Sequence, residues 1–231
     1  MLRFPFAISL VLALALAGAA CNEKPGALDG NEPGSSAPAV AGLDALRLFA
    51  DALGKDTYRL VYEITGSDSR KGDVSATLSL AADPPRQAFG IAGEFEGERA
   101  AFTLINDGQS SYVCIQAGGP GRCLKGQSLA TATIPMPALL DVESLLGRIS
   151  ADTDARVRPA PDQRIAGQEG QCWEIEGAEG EGAFCTARSD GALLLLEGDF
   201  DGASFKMKAT EIGRPSGKDF EPPYRVVEFE S

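Results

Sequence analysis

Five cysteines carry the most specific chemistry in this chain, and no histidine accompanies them. Catalytic triads and dyads that use imidazole as the base are therefore excluded. Removing the amino-terminal cysteine leaves an even set, which allows three connectivities, and each neighbouring pair brackets a glycine-rich segment. We predict the two local disulfides, Cys114–Cys123 and Cys172–Cys185. A zinc site of four thiolates is the alternative, but no Cys-x-x-Cys spacing supports it, so we expect no metal and no cofactor.

The remaining cysteine, Cys21, follows a leader of signal-peptide type. Residues 1–3 carry one positive charge, residues 4–17 are apolar and residues 18–20 are small. The arrangement resembles the bacterial lipobox, in which the cysteine thiol receives a diacylglycerol, although Gly18 stands where a large aliphatic residue is usual. The alternative is ordinary signal-peptide cleavage one residue earlier than the lipobox site, which would leave Cys21 as a free thiol. We predict a lipoprotein signal peptide over residues 1–20 and lipidation of Cys21.

This leader predicts where the protein resides. Export places the other cysteines in an oxidising compartment, where disulfides persist. The anchor would hold the chain at the outer face of the cytoplasmic membrane, or in the periplasm or outer membrane of a cell with two membranes.

Charge and carboxylate spacing limit the function further. The chain has 21 basic and 33 acidic residues, a net charge of −12, so we expect no binding to nucleic acid. The carboxylate pairs Glu94/Glu96 and Glu179/Glu181 have the residue types of a glycosidase, but they lie in glycine-rich, turn-like stretches without an aromatic platform. We interpret them as solvated loop charges and predict that the protein is not an enzyme.

The chain divides into a tether and one domain. Residues 21–42 contain few large apolar residues, which predicts a disordered tether, and residues 43–231 suit a single domain. Apolar residues recur at helical spacing in Leu43–Leu53 and in Met136–Ile149, which predicts two amphipathic helices.

Between the helices, apolar and polar residues alternate in many short segments. Residues 58–65, 74–80 and 204–210 show the period of two most clearly, and short connections such as residues 106–108 indicate antiparallel hairpins. The predicted fold class is therefore α+β: a curved antiparallel sheet of about 9–11 strands, a half-open barrel, wrapped around two or more helices.

The apolar strand faces predict a site for an apolar ligand. Small residues on those faces, Ala76, Gly93, Ala100 and Ala209, favour unfilled volume inside the bend of the sheet. The alternative is a solid core in which helices and sheet cover each other. The predicted ligand-binding side chains, each of which would also serve as plain core, are Tyr58, Leu60, Tyr62, Phe89, Ile91, Phe102, Leu104, Phe205 and Met207.

Four short sequence segments accompany this order of helices and strands: residues 56–60, 165–168, 189–192 and 219–223. Over residues 43–224 the chain resembles the LolA/LolB superfamily of lipoprotein carriers and the LppX/LprG-type lipoproteins. The resemblance implies a half-open barrel whose concave side receives acyl chains of lipids or lipoproteins. It also leaves open an interaction or sensory module with a filled interior and an envelope protein as its partner. We expect a monomer in either case.

Overall fold

The computed structural model describes residues 36–53, 56–68, 72–95, 98–126, 154–178, 180–200 and 203–228. The predicted signal peptide and lipidation site at Cys21, and the predicted helix Met136–Ile149, lie outside the described residues. So do Glu96 and Glu179. These expectations stay predictions.

One α-helix and twelve strands make up the regular structure of the described residues. The helix is α1 (Ser36–Ala52), and a short 3₁₀ helix spans Gly217–Phe220. The strands are β1 (Tyr58–Asp68), β2 (Gly72–Asp83), β3 (Arg86–Phe95), β4 (Glu98–Asn106), β5 (Ser111–Ala117), β6 (Arg122–Gly126), β7 (Arg156–Ile165), β8 (Gln168–Gly177), β9 (Gly180–Ala187), β10 (Leu193–Phe200), β11 (Ala203–Gly213) and β12 (Arg225–Glu228).

All twelve strands belong to one open sheet, in the order β12-β6-β5-β4-β3-β2-β1-β11-β10-β9-β8-β7. The two halves are meanders that meet where β1 pairs with β11. The curved antiparallel sheet predicted from the sequence is therefore confirmed, with two corrections. The sheet has twelve strands, and β12 pairs with β6 in parallel. The described residues also contain one α-helix where two or more were expected.

Helix α1 begins at Ser36, inside the range predicted to be a tether. Its apolar stripe, Leu46, Phe49 and Leu53, is buried, and its main contacts are with β7 and β9. A Cβ atom at Gly42 would lie 2.9 Å from atoms of both Trp173 and Val157, so the helix approaches the sheet closely there. Tertiary packing thus extends the helix into a segment whose composition did not predict order.

The main core lies between α1 and the sheet. Trp173 and Phe184 stack with ring centroids 5.0 Å apart, and Phe49 of the helix belongs to the same buried cluster. Tyr62 is completely buried in this cluster. Its members come from strands of both halves of the sheet, so the core joins the two meanders.

Both predicted disulfides are confirmed. Cys114 and Cys123 are register partners in β5 and β6, with Cα atoms 3.9 Å apart. Cys172 and Cys185 are register partners in β8 and β9, at 4.0 Å. Each bridge therefore joins two adjacent strands of one hairpin.

Residues 214–224, which we call the C-terminal strap, lead from β11 to β12 and cover a small second core. Phe220 is buried in this core against Ala81, Ala88 and Ile105. The Arg86 guanidinium lies 4.6 Å from the centre of the Phe220 ring. The strap thereby fixes the far edge of the sheet to its centre.

Asp219 ties the strap to β1. Its carboxylate accepts hydrogen bonds from Arg59 Nε at 2.8 Å and from the backbone and hydroxyl of Ser216 at 2.6 and 2.9 Å. Burial alone would raise the pKa of Asp219, but these hydrogen bonds and the Arg59 charge outweigh it and hold the pKa below its usual range.

Asp219→Asn is expected to weaken the acid sensitivity of folding. Because the folded pKa is lower than the unfolded one, this carboxylate stabilises the fold above about pH 4 and loses that effect as pH falls through the folded pKa. The substitution should cost about 1 kcal/mol at neutral pH and flatten the decline of stability below about pH 4. Urea unfolding at several pH values measures both effects. Glu221→Gln, which changes an exposed neighbouring carboxylate, is the control. An identical pH dependence of stability in the two variants would mean that the Asp219 carboxylate does not stabilise the fold.

Candidate functional site

The sheet has two chemically different faces. Alternate residues of each strand point to opposite sides, and one side, which we call the helix face, carries Leu60, Tyr62 and Leu78 and packs against α1. The other side, the opposite face, carries exposed residues such as Glu63 and Thr77. Each face contains a candidate binding surface.

The structure brings the nine predicted ligand-binding residues together on the helix face. Four of them are buried in the main core: Leu60, Tyr62, Phe89 and Met207. The other five are partly buried and pack against it: Tyr58, Ile91, Phe102, Leu104 and Phe205. They share one apolar surface of the sheet, and their role in ligand binding stays a prediction.

The two tyrosines of this set have structural hydrogen bonds. Tyr62 donates its hydroxyl proton to the Leu193 carbonyl at 3.0 Å, and Tyr58 donates to the Leu53 carbonyl at 2.6 Å. Burial raises the pKa of both phenols well above the ordinary value. Both side chains therefore stay neutral, and they position the end of α1 and β10 rather than transfer protons.

On β3–β6 the described residues cover the helix face incompletely. Ile115 is 45% exposed, and its cross-strand neighbour Phe102 is half-buried. The main contacts of α1 are with β7 and β9, at the other end of the sheet. We call this surface the β3–β6 apolar patch. Its partly or largely exposed side chains are Ile91, Phe102, Leu104, Val113, Ile115 and Leu124.

Register makes the patch continuous. Ile91 pairs with Phe102, which pairs with Ile115. Leu104 pairs with Val113, which pairs with Leu124 on β6. Directly opposite side chains lie about 4.5–5.5 Å apart at Cβ, so the six form two adjoining rows. A contiguous, half-exposed apolar surface is typical of a binding site.

The sequence identified three members of this patch and missed Val113, Ile115 and Leu124. The alternation around residues 112–115 did indicate a strand. Which apolar side chains remain exposed depends on where α1 docks, however, and that contact is not encoded in the local pattern.

The opposite face contains a depression of about 1520 Å³, which we call the polar trough. It runs across the sheet from Arg158 on β7 to Gln116 on β5, so this face curves inward along one end of the strands. Exposed polar side chains of every strand in between line it, among them Lys206, Ser75 and Glu94.

The trough differs from the apolar hollow that the sequence predicted. Ala76, Gly93 and Ala100 border it as small residues, but Phe205 is the one predicted ligand-binding residue that does. The inward bend of the sheet at the trough is lined mostly by polar side chains. The curvature was expected from the sequence, and the face that lines the bend was not.

Glu94 and Glu181 were expected in turn-like stretches and instead lie in strands β3 and β9. Glu94 faces Arg99 across β3 and β4 at the edge of the trough. Within the ranges that the structure describes, no group of three or more histidine, cysteine or acidic side chains is arranged to hold a metal ion. In the same ranges, no helix combines the length and apolar character that a membrane span requires.

No family model matches the sequence, and no curated protein sequence matches it either. Solved structures with a similar course of the chain include the MucA/MucB complex of Pseudomonas aeruginosa, at 11% identity and a TM-score of 0.45. That match covers 78% of this chain and 60% of the other, so the chain spans 60% of the length of the structure it matches there.

Two mycobacterial proteins match over nearly their whole length. LppX, a lipoprotein of Mycobacterium tuberculosis, is 16% identical with a TM-score of 0.46, and the match covers 77% of this chain and 97% of LppX. LprF of Mycobacterium bovis is 12% identical with a TM-score of 0.46, covering 79% and 97%. LppX, which the resemblance from sequence had named, is thus among the similar structures.

Proposed function

We propose that this protein is an exported, lipid-anchored, non-enzymatic binding protein that holds an acyl chain of a lipid or lipoprotein against the β3–β6 apolar patch. In this proposal it serves the movement of lipids or lipoproteins in the cell envelope. The half-exposed state of the patch, and of Ile115 above all, is the observation that supports it most.

The chemistry of the patch suits an acyl chain. Its six side chains are aliphatic or aromatic, and they adjoin the buried core through Phe89. Burial of apolar area contributes about 25 cal/mol per Å² and needs no specific hydrogen bonds. A flexible hydrocarbon chain matches this surface better than a polar metabolite does.

The proposed anchor would keep the patch near its ligand. Cys21 precedes the first helical residue, Ser36, by 15 positions. A fully extended chain of that length reaches at most about 50 Å, so a lipidated Cys21 confines the domain to the membrane surface, where acyl chains are concentrated.

Ile115→Glu is expected to weaken acyl-chain binding about tenfold or more, because it places a charge that must be desolvated at the most exposed position of the patch. Titration of the exported protein with a fluorescent long-chain fatty acid measures the affinity. Gln109→Glu is the matched control, since it adds the same charge at an exposed turn of the same hairpin and should leave the affinity unchanged. Equal affinity for the two variants would refute binding at the patch.

The second candidate is an interaction module without an apolar ligand. The polar lining of the trough and the close packing of Trp173, Phe184 and Phe49 between α1 and the sheet favour it. In that case wild-type protein would show no saturable binding of the fatty acid, and a protein partner would account for the function.

A further inference from the structure

The charges of the polar trough are unbalanced. Among the described residues that line it, seven are acidic and three are basic. Arg158 pairs with Glu174 at 3.3 Å and with Glu176 at 3.0 Å, and Lys206 Nζ pairs with Glu197 at 2.7 Å. Arg158 and Lys206 are thus engaged with acids of the trough, and Arg99, the third basic residue, lies opposite Glu94 in the register of β3 and β4. Seven acidic against three basic residues leave an excess of negative charge on this face.

The acidic residues of the trough form two groups. Glu176, Glu181 and Asp199 are consecutive register partners across β8, β9 and β10, and like charges directly opposite are unfavourable. Of these, Glu176 is paired with Arg158. On the other side of the trough, Asp73 lies on β2, and Glu94 lies on β3 opposite Arg99. No ion pair within the described part of the chain neutralises Glu181, Asp199 or Asp73.

Hydroxyl groups separate these two carboxylate groups. Asp199 pairs with Ser204, Ser204 with Ser67, and Ser67 with Asp73, so one cross-strand row joins all four residues. The two serine hydroxyls lie 2.7 Å apart at the middle of the row. Three strand steps separate Asp199 from Asp73, a span of about 14 Å.

We propose that the polar trough binds an extended basic segment of a protein partner, laid across the strands, with cationic side chains four residues apart that contact Asp199 and Asp73. In an extended chain, residues i and i+4 point to the same side and lie about 13–14 Å apart, which matches the span between the two aspartates. The seryl hydroxyls lie beneath the residues between the cations. This proposal concerns the opposite face and does not rest on acyl-chain binding.

The size of the trough favours a peptide over a small cation. A volume of about 1520 Å³ exceeds the usual range for a small-molecule site, about 300–1,000 Å³. The acidic side chains are spread over strands from β8 to β3, so a single compact cation contacts only one of the two carboxylate groups. An extended segment contacts both.

Two peptides of identical composition test the proposal with the full exported chain. One has lysines at positions i and i+4 separated by serine and glycine, and the other has the two lysines adjacent. The spaced peptide should bind one-to-one and, at low salt, at least about fivefold more tightly than the peptide with adjacent lysines. Its binding should weaken as the salt concentration rises. Equal affinities, or no binding by the spaced peptide, would overturn the proposal.

Variants locate the binding site. The double variant Asp73→Asn with Asp199→Asn should lower the affinity for the spaced peptide about tenfold. The control double variant, Asp51→Asn with Glu221→Gln, changes the net charge equally at exposed positions outside the trough. It should lower the affinity for the spaced peptide less than twofold. Ser75→Arg adds a cation inside the trough and gives an independent loss of affinity. Equal losses in the double variant and the control pair, or full affinity of Ser75→Arg, would refute binding in the trough.

Discussion

Cys21→Ser is expected to move nearly all of the protein from the membrane fraction to the soluble exported fraction. The diacylglycerol that a lipobox cysteine receives carries two acyl chains, and two chains give stable anchoring where one gives only reversible binding. Serine has no thiol to modify, so the exported chain would lose its anchor. Fractionation with immunoblotting measures the change, and mass spectrometry of the amino-terminal peptide detects the lipid.

Gly18→Leu provides the control for this prediction. It supplies the large aliphatic residue that the motif usually has at this position, so membrane association should be retained or increased. A Cys21→Ser protein that stays with the membrane, or a wild-type amino-terminal peptide without lipid, would contradict the anchor.

Trp173→Ala is expected to lower the free energy of unfolding by about 3–5 kcal/mol, as large-to-small substitutions of buried aromatic residues do. Trp173 is 3% exposed, stacks on Phe184 and meets the close approach of α1 at Gly42. Its removal leaves a cavity at the contact between the helix and β7–β9. Urea denaturation followed by circular dichroism measures the loss.

Leu48→Ala is the control for the core. Leu48 lies on the same helix but is 66% exposed, so its replacement should change the free energy of unfolding by less than about 0.5 kcal/mol. Similar losses for the two variants would mean that α1 does not dock on Trp173 as the structure has it.

The parts of the fold that depend on local pattern were predictable from the sequence. Alternation in residues 58–65 and 74–80 predicted β1 and β2 and which of their residues share the apolar face, since a period of two fixes which residues share a face. The disulfides followed because each pair lies in one hairpin, so proximity in sequence already implied proximity in space.

The parts that depend on distant contacts were not predictable in this way. Pro159 and Pro161 weaken the strand signal of β7, and the structure accommodates them on an edge strand with a bulge between Ala160 and Gln163. The parallel pairing of β12 follows from the strap that Asp219 and Phe220 hold in place. No local pattern near residues 225–228 encodes that pairing.

The candidate site, like the fold, was predictable where it depends on local pattern and not where it depends on distant contacts. The sequence identified the apolar face of the sheet, but not which part of it α1 leaves exposed. It also did not show that the inward bend at the trough carries polar residues. Both features depend on the twist of the whole sheet and on the docking of α1 at β7 and β9.

Acyl-chain binding at the β3–β6 apolar patch can be tested by photocrosslinking with a fatty acid that carries a diazirine on its chain. After irradiation of the exported protein and digestion, mass spectrometry locates the labelled residues. We expect saturable labelling of β3–β6 peptides around Phe102 and Ile115, which excess fatty acid without the diazirine should abolish and Ile115→Glu should reduce. Labelling confined to the polar trough, or labelling that no competitor removes, would contradict binding at the patch.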